Sequence, residues 1–419
     1  MRLFFAILML FSVAVRAETL TSVLPQLMLT DFEIKKVKAE LKSSELSIDQ
    51  YNAGWLPQLN LMVSEGWEKL NQQVKTDRWR REWGVAMTQL ITDFGTTSSA
   101  INAAEKRFAK KTIDLQSIKQ TVTFFGIKAY LNVYQQKEQL RYAKSSEENI
   151  KKQTGMEEAR VKQGSGFSTD VLQSKSKLAS AYARTARADG EFIKALNDFR
   201  SLYQFAPKDL ESFVPPGIPR QYIPKTLVDA LSIASEFNTD IVKSKFDVEI
   251  AQTDITAARS KHFPTITLKG NVKHKRNDQG IIGIKEEYRA GVEFNLPLFS
   301  GGKDQAGLSR SYADLNAMKD QRLHVRREVD KKVRNAWQDF QTDQINAGFL
   351  RNSANISEQF LILARQERKL GRRSLIDVLS EENSYINALQ AAIKAETSVL
   401  LSAYALLREM GILNAKMVY

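Results

Sequence analysis

The sequence predicts a mainly α-helical fold with a transmembrane β portion: a duplicated half that gives four β-strands and long coiled-coil helices per chain. Three observations carry that prediction. Residues recur at an offset of 207 along the chain. Each half holds two short segments that alternate apolar and polar residues. Each half also holds a helix-compatible stretch of about 65 residues, with heptad spacing in the helix that follows it.

The duplication reads directly from the residues. Pro57 matches Pro264, Gly95 matches Gly302 and Gly164 matches Gly371, each 207 positions on. Asp170, Val171 and Leu172 match Asp377, Val378 and Leu379, while Leu59, Leu61, Val85 and Tyr130 match Ile266, Leu268, Val292 and Trp337. Solenoid repeats run roughly 20 to 50 residues, so this period marks a repeated structural half. Any function must then use both copies in matching roles.

In chain order, residues 1–17 read as a secretory signal peptide: Arg2, an apolar run from Leu3 to Val15, and a small-residue cleavage site ending at Ala17. The run is too short to span a bilayer, which takes about 20 residues as a helix. The first repeat covers 18–204, with a helix at 23–54, strands at 57–68 and 81–91, and a long helical hairpin made of helices at 98–162 and 169–203. A linker at 205–226 holds five of the nine prolines, which remove backbone donors and fix φ. The second repeat covers 227–419, with a helix at 228–261, strands at 264–275 and 287–298, and helices at 303–369 and 375–410.

Composition removes several function classes. No cysteine is present, which excludes disulfides, thiolate metal sites and cysteine nucleophiles. The net charge of +13 comes from basic residues interspersed with acidic ones, so it reads as solvated helix faces and not as a nucleic-acid surface. The three histidines, His262, His274 and His324, have no metal-ligand spacing. Ser174 and Lys177 match the Ser-x-x-Lys pattern of penicillin-binding enzymes, but the companion motifs are absent. The chain is read as no enzyme, with no cofactor.

The helices must bury a stripe. A helix of about 65 residues is a rod of roughly 100 Å. Leu379, Ile386, Ile393, Leu400 and Leu407 recur every seven residues, a coiled-coil seam. The first copy is weaker: Leu172, Ala179, Ala186, Ile193, then Arg200. Helices alone would fit an ordinary periplasmic coiled-coil scaffold that conducts nothing.

The strands point elsewhere. Leu59, Leu61, Val63 and Trp67 form one face of the first strand against Gln58, Asn60, Ser64, Gly66 and Glu68, with Met62 the exception on that second face. The second strand sets Trp83, Val85 and Met87 against Glu82, Gly84 and Thr88. In the second half Ile266, Leu268 and Val272 oppose Thr267, Lys269, Asn271 and Lys273, and Tyr288, Ala290, Val292, Phe294 and Leu296 oppose Arg289, Gly291, Glu293 and Asn295. One apolar and one charged face fit strands of a membrane barrel. Trp67, Trp79, Trp83 and Tyr288 suit an aromatic girdle. Four strands cannot close, and an open edge in lipid leaves unpaired backbone groups. Three copies give twelve strands, so a homotrimer with a shared barrel in contact with lipid is expected. Its interior would carry Lys269, Lys273, Lys275 and Arg289, partly offset by Glu287 and Glu293.

The order of motifs resembles the TolC family of outer membrane efflux proteins. The resemblance rests on Leu56 to Leu59, Asp93-Phe94-Gly95, Gly164 with Asp170 to Leu172, Phe263-Pro264, the run from Pro297 to Gly302, and Gly371 with Asp377 to Leu379. It covers nearly the whole mature chain. It implies a homotrimer with a twelve-stranded barrel in the outer membrane of a Gram-negative bacterium and a twelve-helix tunnel in the periplasm. It also implies a periplasmic adaptor, an inner-membrane transporter of ABC, RND or MFS type, and export of drugs or of secreted proteins.

By the same resemblance, Pro57, Gly95, Pro264, Pro297, Gly301 and Gly302 mark the passage between barrel and tunnel. Gly164, Ser165, Gly166, Gly371 and Arg372 form the turns at the periplasmic tip, where the adaptor docks. Thr169, Asp170, Arg368, Arg373 and Asp377 line the closing aperture. Arg373 is expected to link coils through Asp170 and the Thr169 hydroxyl. Two departures stand out: Arg368 replaces a tyrosine of that network, and Ser380, with Glu381 beside it, replaces a second ring acid. Asp170 and Asp377 also read simply as acids in a helix's first turn, where the dipole favours them.

Overall fold

The structure is a computed structural model describing residues 19–71, 75–165, 167–207 and 209–418. The signal segment and Gly166 lie outside the described residues. Chain order is α1 (Leu20–Thr30), α2 (Phe32–Asn52), β1 (Gln58–Asn71), β2 (Lys75–Thr92), α3 (Thr96–Lys162), α4 (Ser168–Tyr203), α5 (Leu227–Phe237), α6 (Thr239–Ser260), β3 (Thr265–Arg276), β4 (Ile284–Asn295), α7 (Lys303–Lys369) and α8 (Leu375–Glu409). Short 3-10 turns occur at Ala53–Trp55, Arg220–Tyr222 and Ala415–Met417. Among the described residues no helix is long and apolar enough to cross a membrane.

The structure departs from the sequence reading at the helix heads and at the end of the last strand. The single helix expected at the head of each half is two. The first breaks at Asp31 (ψ 132°), the second at Asn238 (ψ 122°), and these positions are 207 apart. The Asp31 carboxylate accepts a bond from the Ile34 N–H (2.9 Å), so it caps the helix that restarts after it. Asn238 donates its amide to the carbonyl of Glu409 (2.7 Å). Second, β4 ends at Asn295, leaving Leu296 and Pro297 beyond the strand.

The chain divides into two compact units, with boundaries inside helices α2, α3 and α7. One holds Lys36–Gln116 and Thr239–Val329, and so all four strands. They form one antiparallel sheet in the order β1-β2-β3-β4. The helices of this unit meet through Val248, Ala251 and Ile255 of α6 and Leu315 of α7. Ion pairs reinforce them: Lys106 with Glu249 (2.8 Å), Lys110 with Asp247 (2.5 Å) and Lys111 with Glu40 (2.9 Å). The Lys111 ammonium beside Glu40 holds that carboxyl below its ordinary range.

The other unit holds Ser117–Asn238, the chain from Asp330 onward and the segment up to Lys35. Its linker is packed. Phe213 is buried and stacks on Tyr130 (4.5 Å between centroids), whose hydroxyl donates to the carbonyl of Val214 (3.2 Å). Burial pushes the Tyr130 hydroxyl's pKa up. Helix α8 is the most enclosed element, with Leu379, Ile386, Ile393, Leu400 and Leu407 all buried. Ala354 and Leu350 of α7 and Tyr142 of α3 pack around Leu389 and Ile393.

Candidate functional site

The sheet has one apolar face open on its whole width. The register aligns Leu61, Val85, Val272 and Tyr288 in one row across all four strands. A second row runs through Leu59, Met87, Gly270 and Ala290. Leu61 and Tyr288 are each 70% exposed, which water would penalise at about 25 cal/mol per Å² of apolar surface. Trp67 and Trp79 meet edge-to-face at 6.0 Å near one end of this face. On the opposite face Lys269 pairs with Glu293 (2.7 Å), Lys273 with Glu82 (3.1 Å) and Lys275 with Asp278 (3.1 Å). Arg289 stands mostly exposed there, 3.5 Å from Glu287.

Where strands meet helices, Pro57 and Pro264 immediately precede β1 and β3. Gly95 sits at φ +116° beside Ser260, whose hydroxyl donates to the carbonyl of Phe94 (3.0 Å). The Asp93 carboxylate accepts from the Thr97 N–H (2.7 Å) and so starts α3. Gly301 and Gly302 both have positive φ just before α7.

At the far ends of α3 and α7 the two turns are built alike. Gly164 (φ +81°) and Gly371 (φ +75°) adopt the left-handed conformation that ends a helix. The Ser165 N–H donates to the Arg160 carbonyl and the Arg372 N–H to the Glu367 carbonyl, both at 2.9 Å. These donors and acceptors are again 207 apart. Asp170 and Asp377 lie in the first turns of α4 and α8. Ser374 caps α8 by accepting from the Asp377 N–H (3.1 Å); its counterpart Phe167 caps nothing by its side chain.

The charges behind these turns differ from expectation. In this chain Arg373 pairs with Glu367 of its own coil (3.1 Å) and lies over the Phe360 ring (5.0 Å). Among the described residues of this chain Arg373 makes no ion pair or hydrogen bond with Asp170 or Thr169. The link between coils runs through Arg368, the residue in the tyrosine's place. Its guanidinium donates to the buried Glu157 of α3 (2.6 Å) and to the carbonyl of Arg373 (3.2 Å).

A second link escaped the sequence reading. Glu382 of α8 is buried, pairs with Arg365 of α7 and accepts from the Asn149 amide of α3 (3.2 Å). Burial pulls the pKa of the Arg184 guanidinium down, an effect opposed by the Glu382 charge. The offset would have found this link. Glu158 and Lys175, which pair in the first coil at 2.8 Å, become Arg365 and Glu382 on adding 207. The pair is kept and its polarity reversed. The Lys175 hydrogen bond lowers the pKa of half-buried Glu158.

Comparison with known proteins matches this architecture. The outer membrane efflux protein family model matches residues 23–203 and 230–411, one segment in each half. The chain is 23% identical to outer membrane efflux protein BepC of Brucella suis biovar 1 over 96% of its own length and 87% of the relative's. It is 22% identical to outer membrane protein TolC of Escherichia coli K12, covering 96% and 84%. A crystal structure of a membrane protein from Pseudomonas aeruginosa superposes with a TM-score of 0.80 at 18% identity, over 94% of this chain and 93% of that one.

Proposed function

We propose a function from one premise: this chain belongs to the outer membrane efflux protein family. It is an outer membrane protein with an efflux channel role, and its family comprises transport channels, not enzymes. The finer reading is ours. Three copies close a twelve-stranded barrel, β4 of each pairing with β1 of the next. Their coils line a tunnel that a periplasmic adaptor joins to an inner-membrane transporter.

The single observation that carries this reading is the sheet. Its apolar face is exposed across all four strands, and its outer strands β1 and β4 each have one unpaired edge. In hydrocarbon such an edge costs several kcal/mol per unsatisfied group, and closure removes it. A non-conducting scaffold would have no use for that face. The helices carry a second unfilled seam: Leu172, Ala179, Ala186 and Ile193 of α4 are exposed, as are Phe349, Ile356 and Leu363 of α7. Seams of this kind fit coil-to-coil packing between copies.

The tip is read as the gate and adaptor-docking end. Gly164, Ser165, Gly371 and Arg372 form its turns, and three copies of Asp170 and Asp377 near one axis would form an acidic ring that favours cations. Arg368 and Arg373 would hold it shut. Multidrug efflux and type I secretion both fit such a conduit, the inner-membrane partner deciding between them. Purified protein should run as a heat-resistant trimer in mild detergent and conduct in planar bilayers. A water-soluble monomer would overturn the reading.

A further inference from the structure

We infer that the apolar face of the sheet carries a binding site for a phosphorylated lipid headgroup, built on Arg81 and Arg276. The inference rests on the reading that this face meets lipid.

Strand parity fixes the placement. Arg81 shares its face of β2 with Trp79, Trp83 and Val85, and Arg276 shares its face of β3 with Val272 and His274. The register makes the two arginines direct cross-strand partners, in the row Glu65–Arg81–Arg276–Ile284. Side chains so placed have Cβ atoms about 5 Å apart, and like charges there repel. One acid stands in the row. Glu65 accepts from Arg81 at 2.7 Å, with both side chains about half exposed. The other neighbour of Arg276 is Ile284, and among the described residues the exposed Arg276 side chain has no ion pair or hydrogen bond. The nearby acids are engaged: Glu286 lies 3.6 Å from His274 and accepts from the Tyr288 hydroxyl, and Asp77 pairs with Lys69. The row is left with an uncompensated positive charge.

Its depth identifies the missing anion. On one side lie Trp67 and Trp79, and on the other Trp83 stacked on His274 (5.3 Å). Tryptophans mark the level where headgroups give way to acyl chains. Beyond Trp83 the face continues as Leu61, Val85 and Val272, an apolar track for a chain attached to the headgroup. A guanidinium matches phosphate bidentately, and two facing each other would share one phosphate or hold two. A phosphate on an acylated carrier therefore satisfies both the charge and the track.

The test uses the full-length protein in mild detergent, followed by tryptophan fluorescence. Three probes are titrated: a bisphosphorylated, acylated glucosamine disaccharide (lipid A), the same lipid without phosphates, and inorganic phosphate. The phosphorylated lipid should bind at least about tenfold tighter than its dephosphorylated form, the scale of one charge-assisted contact. The double variant Arg81→Gln, Arg276→Gln should erase that difference. Inorganic phosphate at equal concentration should leave the signal unchanged. Equal binding of the two lipids, or an unaltered preference in the double variant, overturns the site. Saturation by inorganic phosphate overturns the lipid assignment. Should the double variant fail to fold, the wild-type lipid comparison decides alone. A protein that never trimerises sinks the channel reading yet leaves this comparison legible, since both arginines belong to one chain.

Discussion

In α8 the heptad residues Leu379, Ile386, Ile393, Leu400 and Leu407 are buried, while in α4 their counterparts Leu172 and Ile193 are 68% and 50% exposed. The same contrast holds for charge. The Arg365–Glu382 pair of the second coil is anchored by a buried carboxylate, whereas the Glu158–Lys175 pair of the first is open to water. Duplication supplied one coil plan twice, and the two copies diverged in partner. The second coil finds its cover inside the chain, from Tyr142 of α3 and Leu350 and Ala354 of α7. Helix α4 of the first coil leaves its seam exposed, and in the second coil only α7 does so, through Phe349, Ile356 and Leu363. Reversal of the ion pair fits that divergence, because each coil needs an internal tie and either polarity provides one.

Predictions follow from breaking each copy in turn. The largest effect should come from Leu379→Ala, which opens a cavity at a fully buried site and should cost about 3 kcal/mol of stability in denaturant. Leu172→Ala removes the equivalent residue and should leave the folded chain nearly as stable, while lowering the temperature at which the trimer dissociates on a gel. Equal effects from the two would erase the distinction between the coils.

Next in size is the ion pair. Glu382→Ala leaves Arg365 and Asn149 without their acceptor and should cost about 2 kcal/mol, reduced from a fully buried pair because Arg365 is still 38% exposed. Lys175→Ala should have no measurable effect, since surface pairs contribute little. The swap Arg365→Glu with Glu382→Lys writes the first coil's polarity into the second. It should recover part of the loss, limited by repulsion between the new lysine and Arg184.

At the tip, Arg373→Ala should raise trimer conductance in planar bilayers, and Arg368→Ala should raise it more. Arg368 ties α7 to α3 through Glu157, while Arg373 is held within its own coil by Glu367 and Phe360. The reverse order would return the lock to Arg373.

The smallest effect is a titration. Tyr385 donates to Glu358 (3.1 Å), and burial followed by the Glu358 charge pushes its hydroxyl up to about 12. A pKa raised on folding gives stability that is complete below the unfolded value near 10 and is lost as pH rises through about 12. Tyr385→Phe should remove part of the loss of stability between those values. Its counterpart in the first coil, Leu178, has no proton to lose, so no such component is expected there.

Much of this was legible in residues alone. Alternation in Leu59 to Val63 and in Tyr288 to Phe294 assigned the two faces of the sheet because strand side chains strictly alternate. Gly164 and Gly371 marked helix ends because a left-handed C-terminal residue favours glycine. The breaks at Asp31 and Asn238 were missed: an Asx residue in a helical run caps a restart only when its side chain turns back, and composition does not say which way it turns. Glu157 and Glu382 were missed for a similar reason. An acid on a charged helix reads as solvated until a neighbouring helix covers it.

The sequence by itself determined the duplication, the strand faces, the sites of the turns and the family, since each depends on local spacing or on an offset along one chain. Only the tertiary structure decided which copy of the seam is buried, which arginine joins the coils and that Arg81 faces Arg276. Those facts depend on the rotation of one helix against another and on strand register, which residues distant in the chain settle together.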